Sequence, residues 1–149
     1  MKARYRHTNI VAEDWRKLAD FYEQVLGCKP VPPERASSAE WVERSTGVPG
    51  GAIAGIHLRL PGFGDDGPTL EIFQYNNAEE RPGTAINRPG LAHMAFEVDD
   101  VKAARDEVLA AGGECVGDVV TAEITNAGTI TFVYVTDPEG NIIEFQKWA

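Results

Sequence analysis

Near the start of the chain, apolar and polar residues alternate with period two and then change to helical spacing. From Tyr5 to Val11, Tyr5, His7 and Asn9 share one face and Arg6, Thr8 and Ile10 the other, which predicts a strand whose polar face carries His7. Asp14 is placed to cap a helix running to Leu26, with Leu18, Phe21, Tyr22 and Val25 as its core stripe and Gly27 as its left-handed stop. Lys29 to Pro33 holds three prolines, which cannot donate to a ladder, so it is expected to form at most an edge strand. Ser37 and Glu40 have capping-box spacing, predicting a short helix over Ala39 to Thr46 that ends at Gly47 and is placed to cover an opening. Two strands follow, Ala52 to Leu60 and Thr69 to Tyr75, joined by the turn-rich segment Pro61 to Gly67.

The same order then recurs. Leu91 to Val98 reads as a strand, Asp99 or Asp100 as a cap, Val101 to Ala111 as a helix stopped by Gly112, and Glu114 to Ala122, Thr129 to Val135 and Asn141 to Trp148 as strands. Between the copies lies a charged, glycine- and proline-containing stretch. The expected organisation is a single domain over 1–149, with module 1 at about 4–77, a linker at about 78–89 and module 2 at about 90–149. The fold class is α+β: two tandem βαβββ modules forming a curved mixed sheet around a groove, since neither half alone has the apolar surface for a stable fold.

Composition narrows the function. The chain has 149 residues and 43% hydrophobic content, enough for one core, and a formal net charge of -9. Without a basic stripe it has no electrostatic grip on a phosphate backbone, so nucleic acid is not an expected partner. No apolar run approaches a membrane span and Met1-Lys2-Ala3-Arg4-Tyr5 lacks a signal-peptide core, so no membrane partner is expected and the cytoplasm is the default location. Cys28 and Cys115 follow the two helices and are read as reduced, partly buried thiols without a role.

The repeat also duplicates potential ligands. His7 precedes Gly27 by 20 residues and His93 precedes Gly112 by 19, while Glu71 and Glu144 each follow a glycine of an acidic turn by four residues. Alternation places Glu71 with Phe73 and Tyr75 opposite Leu70 and Ile72, and Glu144 with Ile142, Gln146 and Trp148 opposite Ile143 and Phe145. His93 falls with Leu91 and Ala95, opposite Met94, Phe96 and Val98. Two imidazoles and two carboxylates directed inward suit a divalent ion, because a buried carboxylate without a partner is costly. His57 shares a face with Arg59; the pair either lines the groove and holds a substrate anion or forms a solvent-facing strand edge. Phe73, Tyr75 and Trp148 are expected in the core or an interface rather than in a substrate wall.

Four stretches resemble the vicinal oxygen chelate superfamily, which includes glyoxalase I, methylmalonyl-CoA epimerase, extradiol dioxygenases, fosfomycin thiol transferases and bleomycin-binding resistance proteins. They are Arg6-His7-Thr8-Asn9-Ile10, Leu18 to Gly27, Gly90-Leu91-Ala92-His93-Met94-Ala95-Phe96 and Asp137-Pro138-Glu139-Gly140-Asn141-Ile142-Ile143-Glu144. The resemblance implies a divalent metal ion (Ni, Zn, Co, Mn or Fe) on His7, Glu71, His93 and Glu144, and Glu71 makes the set closer to glyoxalases than to epimerases. It further implies a small-molecule carbonyl substrate, a homodimer, and a metal-dependent lyase or isomerase in which Glu144 or Glu71 moves a proton next to the carbonyl. Glu71 is then a ligand, a base or an outer carboxylate. The alternatives are a non-haem iron ring-cleaving dioxygenase and a metal-free drug-binding resistance protein.

Overall fold

A computed structural model describes residues 1–149, and the chain divides into two compact units, Met1–Glu80 and Arg81–Ala149. Their strands hydrogen-bond into two sheets, one for each unit. No helix is long and apolar enough to cross a membrane.

Unit 1 runs β1 (His7–Val11), α1 (Trp15–Leu26), β2 (Lys29–Ser37), α2 (Glu40–Thr46), β3 (Ile53–Arg59) and β4 (Thr69–Tyr75), with sheet order β1-β4-β3-β2. β1 is parallel to β4, while β4, β3 and β2 are antiparallel, giving a mixed sheet. Asp14 caps α1 through the Lys17 amide, and Gly27 closes it at φ 65°. The stripe Leu18, Phe21 and Tyr22 is buried, and so are Ile56, Leu58, Leu70 and Ile72, whose strands α1 packs against. Burying this strand face leaves Glu71, Phe73 and Tyr75 on the other, as alternation requires.

β2 is an edge strand but continues to Ser37, past the prolines, because the register shifts between Val31 and Arg35 and resumes with Arg35 opposite Gly55. The capping box at Ser37 and Glu40 does not form. Ala39 is the N-cap of α2, and Ser37 Oγ instead accepts the Ala39 amide at 3.3 Å, a local turn that competes with the box.

Unit 2 runs β5 (Met94–Glu97), α3 (Val101–Ala110), β6 (Glu114–Cys115), β7 (Val120–Ile124), β8 (Gly128–Thr136) and β9 (Ile142–Trp148). β5, β9, β8 and β6 form a path, with β7 also pairing β8. Asp100, not Asp99, caps α3 by accepting the Lys102 and Ala103 amides. Three expectations are corrected. The single strand over Glu114 to Ala122 is broken into β6 and β7 around Gly117, β5 begins at Met94 so that His93 stands just before it, and Cys115 is exposed. Val101 and Val108 of α3 are buried, together with Val133, Val135, Ile143 and Phe145.

The segment after Glu80 is anchored to unit 2 at its start. Arg81 donates to the Glu139 and Gly140 carbonyls and to Asn141 Oδ1, and Thr84 donates to Gly140 O. The turn they grip is built on buried Asp137, which accepts the Glu139 and Asn141 amides and the Asn141 side chain. This turn feeds the chain into β9, two residues before Glu144.

Candidate functional site

In unit 1, parallel pairing of β1 with β4 sets Asn9 opposite Glu71, and antiparallel pairing of β3 with β4 sets His57 opposite the same residue. Glu71 therefore receives side chains from both neighbours. Its Oε2 accepts Asn9 Nδ2 at 2.8 Å and stands 3.6 Å from His7 Nε2, while its Oε1 lies 2.9 Å from His57 Nε2. The other nitrogen of His57 meets Thr69 Oγ1 at 2.9 Å. The His7 and His57 rings meet edge to face, with centroids 5.6 Å apart. Burial holds the His57 imidazole below its ordinary value, with Glu71 acting the other way.

In unit 2, His93 Nε2 lies 2.9 Å from Glu144 Oε2, and His93 Nδ1 is buried without a hydrogen-bond partner. Tyr134, opposite Glu144 in the ladder, packs against the His93 ring at 5.1 Å between centroids. Burial and then the Glu144 charge push the Tyr134 hydroxyl up.

Unit 1 thus sets two imidazoles, His7 and His57, beside Glu71, and unit 2 sets one, His93, beside Glu144; His7 with Glu71 and His93 with Glu144 are the pairs that occupy corresponding positions of the repeat. Two donors each roughly 2.1 Å from one divalent ion stand about 3.0–3.4 Å apart at ordinary bond angles. The donor types, imidazole nitrogen and carboxylate oxygen, suit such an ion, while the pair at 3.6 Å is wider and the pair at 2.9 Å closer than that range, so each requires a small side-chain adjustment to hold it. No group of three or more His, Cys, Asp or Glu side chains arranged to hold a metal is present.

The pair His57 and Arg59 is divided between different partners. His57 is committed to Glu71 and Thr69, whereas Arg59 donates to the Gly67 carbonyl and ties down the β3–β4 turn. A pocket of about 450 Å³ opens over the Glu71 face of unit 1, lined by Asn9, Arg35, Trp41, His57, Phe73 and Tyr75, among others. Phe73 and Tyr75 are pocket wall rather than core, a correction that follows from Leu70 and Ile72 filling the core side. Trp148 is 40% exposed. Sequence reading overlooked Arg35 and Trp41 because a register shift and a short helix place them there; Asn9 shared the face of His7 and was legible by alternation.

A family model described as the glyoxalase/bleomycin resistance protein/dioxygenase superfamily matches residues 4–145. The chain belongs to this superfamily. It is 30% identical over 142 residues to a lactoylglutathione lyase of Neisseria meningitidis, covering 95% of this chain and 88% of that protein. It is 29% identical over 146 residues to a probable lactoylglutathione lyase of Vibrio parahaemolyticus, with the same coverage. Among solved structures, a glyoxalase family protein from Bacillus cereus superposes with TM-score 0.84 at 20% identity, covering 99% of this chain and 95% of that one. A fosfomycin resistance protein from Listeria monocytogenes, complexed with Mn(II) and sulfate, superposes with TM-score 0.55 at 12% identity over 100% of this chain and 95% of that one. At these identities the two structures bear on the superfamily fold alone.

Proposed function

We propose that this chain is a divalent-metal-dependent lyase or isomerase of the glyoxalase kind, with His7, Glu71, His93 and Glu144 as metal ligands. The observation that carries the reading is the matched pair in each unit, His7 with Glu71 and His93 with Glu144. The lactoylglutathione lyase relatives support a lyase, and the superfamily supports a metal.

When bound, a divalent ion polarises a substrate carbonyl and makes the neighbouring carbon acidic. The residues of the chain then divide the remaining work. Glu71 is fixed by Asn9 and His57, which favours a role as a held ligand. Glu144 is bonded to the side chain of His93 and has fewer restraints, so it is assigned as the base that takes the proton and returns it to the same or the adjacent carbon.

The test is metal content of untagged protein, followed by anaerobic turnover of carbonyl substrates deuterated next to the carbonyl. The expected result is stoichiometric divalent metal and exchange or transfer of the label without dioxygen. Glu144→Gln should keep most of the metal and lose label transfer, because the amide still offers an oxygen but does not accept the proton at neutral pH. Turnover only with dioxygen, or an unchanged rate in Glu144→Gln, would overturn this assignment.

A further inference from the structure

We propose that Arg35 anchors the anionic end of the substrate, so that the unit 1 pocket takes a small carboxylate carried on an apolar, preferably aromatic, arm. This inference rests on the reading of Glu71 and its neighbours as a carbonyl-processing site and names the substrate class.

Arg35 supplies the guanidinium of the pocket and is half-buried there. Its Nη1 donates to the Pro33 carbonyl, and it takes part in none of the ion pairs of the protein. Glu71, the carboxylate of the pocket, already holds Asn9 and His57, and Glu34, beside Arg35 in sequence, is tied to Arg16 by two bonds of 2.8 Å. Four further guanidinium N–H groups therefore have no carboxylate partner (an Arg offers about five in all). A half-buried cation next to apolar walls gains most from an incoming carboxylate, which the guanidinium fork matches in two parallel bonds.

The rest of the lining defines the arm. Arg35 is the register partner of Gly55, and a Cβ at Gly55 would stand 2.4 Å from Phe73 Cδ1, so the missing side chain is the space the Phe73 ring occupies. Phe73, Tyr75, Ile53 and Trp41 make the wall aromatic and apolar. A short aryl or branched alkyl chain is buried against that wall without desolvating any polar group of its own. A pocket of about 450 Å³ is in the range for small-molecule ligands.

The test uses the full chain stripped of metal with a chelator, which is then removed, and follows binding by calorimetry at pH 7. The probes are phenylacetate, its neutral analogue phenylacetamide, and S-methylglutathione. Phenylacetate is expected to bind at least tenfold more tightly than phenylacetamide, with an affinity that falls as salt is raised. Arg35→Gln is expected to remove that tenfold preference and leave phenylacetamide binding unchanged. Equal binding of acid and amide by the wild type, a retained preference in Arg35→Gln, or tighter binding of S-methylglutathione than of phenylacetate would each overturn the proposal. The wild-type comparison decides the matter even if Arg35→Gln does not fold. Absence of metal from the untreated protein would overturn the metal-dependent reading while leaving an Arg35-dependent acid preference intact, so the two failures are distinct.

Discussion

His57 and Glu71 are register partners on adjacent strands, and their side chains meet at 2.9 Å between Nε2 and Oε1. The histidine is itself held by Thr69 at 2.9 Å, so a chain of hydrogen-bonding groups ends on one oxygen of a proposed ligand and leaves the other to Asn9 and His7. Groups that orient a ligand in this way contribute to metal affinity without touching the ion. His57→Phe is expected to lower divalent-metal affinity about tenfold while preserving the fold. Competition with a fluorescent chelator measures it, and unchanged affinity would show that Glu71 does not depend on His57.

In unit 2 the corresponding carboxylate has His93 as its bonded side-chain partner, and the Glu144 side chain is only 12% exposed. His93→Ala leaves a largely buried carboxylate without that partner and is expected to cost about 1–3 kcal/mol. Removing both groups also removes the orphan, so His93→Ala with Glu144→Ala should cost less than the sum of the single changes. The double variant should give a native far-UV spectrum and no stoichiometric metal. Urea unfolding of the three variants, with metal analysis, checks both statements; full metal occupancy in the double variant would eliminate the proposed ligands.

Gly55 and Gly64 make a matched pair for the pocket wall. A Cβ at Gly55 would stand 2.0 Å from the Ile72 carbonyl oxygen and 2.4 Å from the Phe73 ring, whereas at Gly64 nothing lies within 4 Å. Gly55→Ala is expected to destabilise by about 1–3 kcal/mol and to displace Phe73, as overpacking does. Gly64→Ala should stay within about 0.5 kcal/mol of the wild type. Urea midpoints compare them, and equal midpoints would show that β3 and β4 separate at no cost.

The thiols should behave differently. Cys28 is buried, and burial pushes its thiol up to about 11, well above the ordinary thiol range, while Cys115 is exposed. Because the folded state holds the Cys28 proton more tightly, its contribution is complete below pH 9 and is lost as pH rises from 9 to 11. The loss is on the order of 2–3 kcal/mol, and the difference between wild type and Cys28→Ala across that interval isolates it from other titrations. Iodoacetamide at neutral pH should label Cys115 in the native protein and reach Cys28 only on unfolding. Equal labelling of both would contradict the burial.

Local periodicity determined much of unit 1 and less of unit 2. Asp14 and Gly27 bound α1 because a capping carboxylate and a left-handed glycine act within a few residues, and β4 occupies the expected Thr69 to Tyr75 because its alternation is unbroken. β5 is shorter than its pattern, and the strand expected from Glu114 is interrupted at Gly117, where alternation of apolar residues does not reveal the break in pairing. The α2 cap moved for a similar reason: Ser37 bonds the nearer amide of Ala39.

By itself the sequence determined which residues share a face. A strand side chain points up or down according to parity alone, so Glu71, Phe73 and Tyr75 had to oppose Leu70 and Ile72, and Glu144 had to oppose Ile143 and Phe145. Parity does not say which strand lies alongside, or in what register. The order β1-β4-β3-β2 gave Glu71 neighbours on both sides, Asn9 from one and His57 from the other. The register shift in β2 set Arg35 opposite Gly55, whereas Arg59, on the same strand face as His57, was drawn to the Gly67 carbonyl. Only the tertiary structure decided these partnerships, because strand order and register depend on hydrogen bonds and packing between segments distant in sequence.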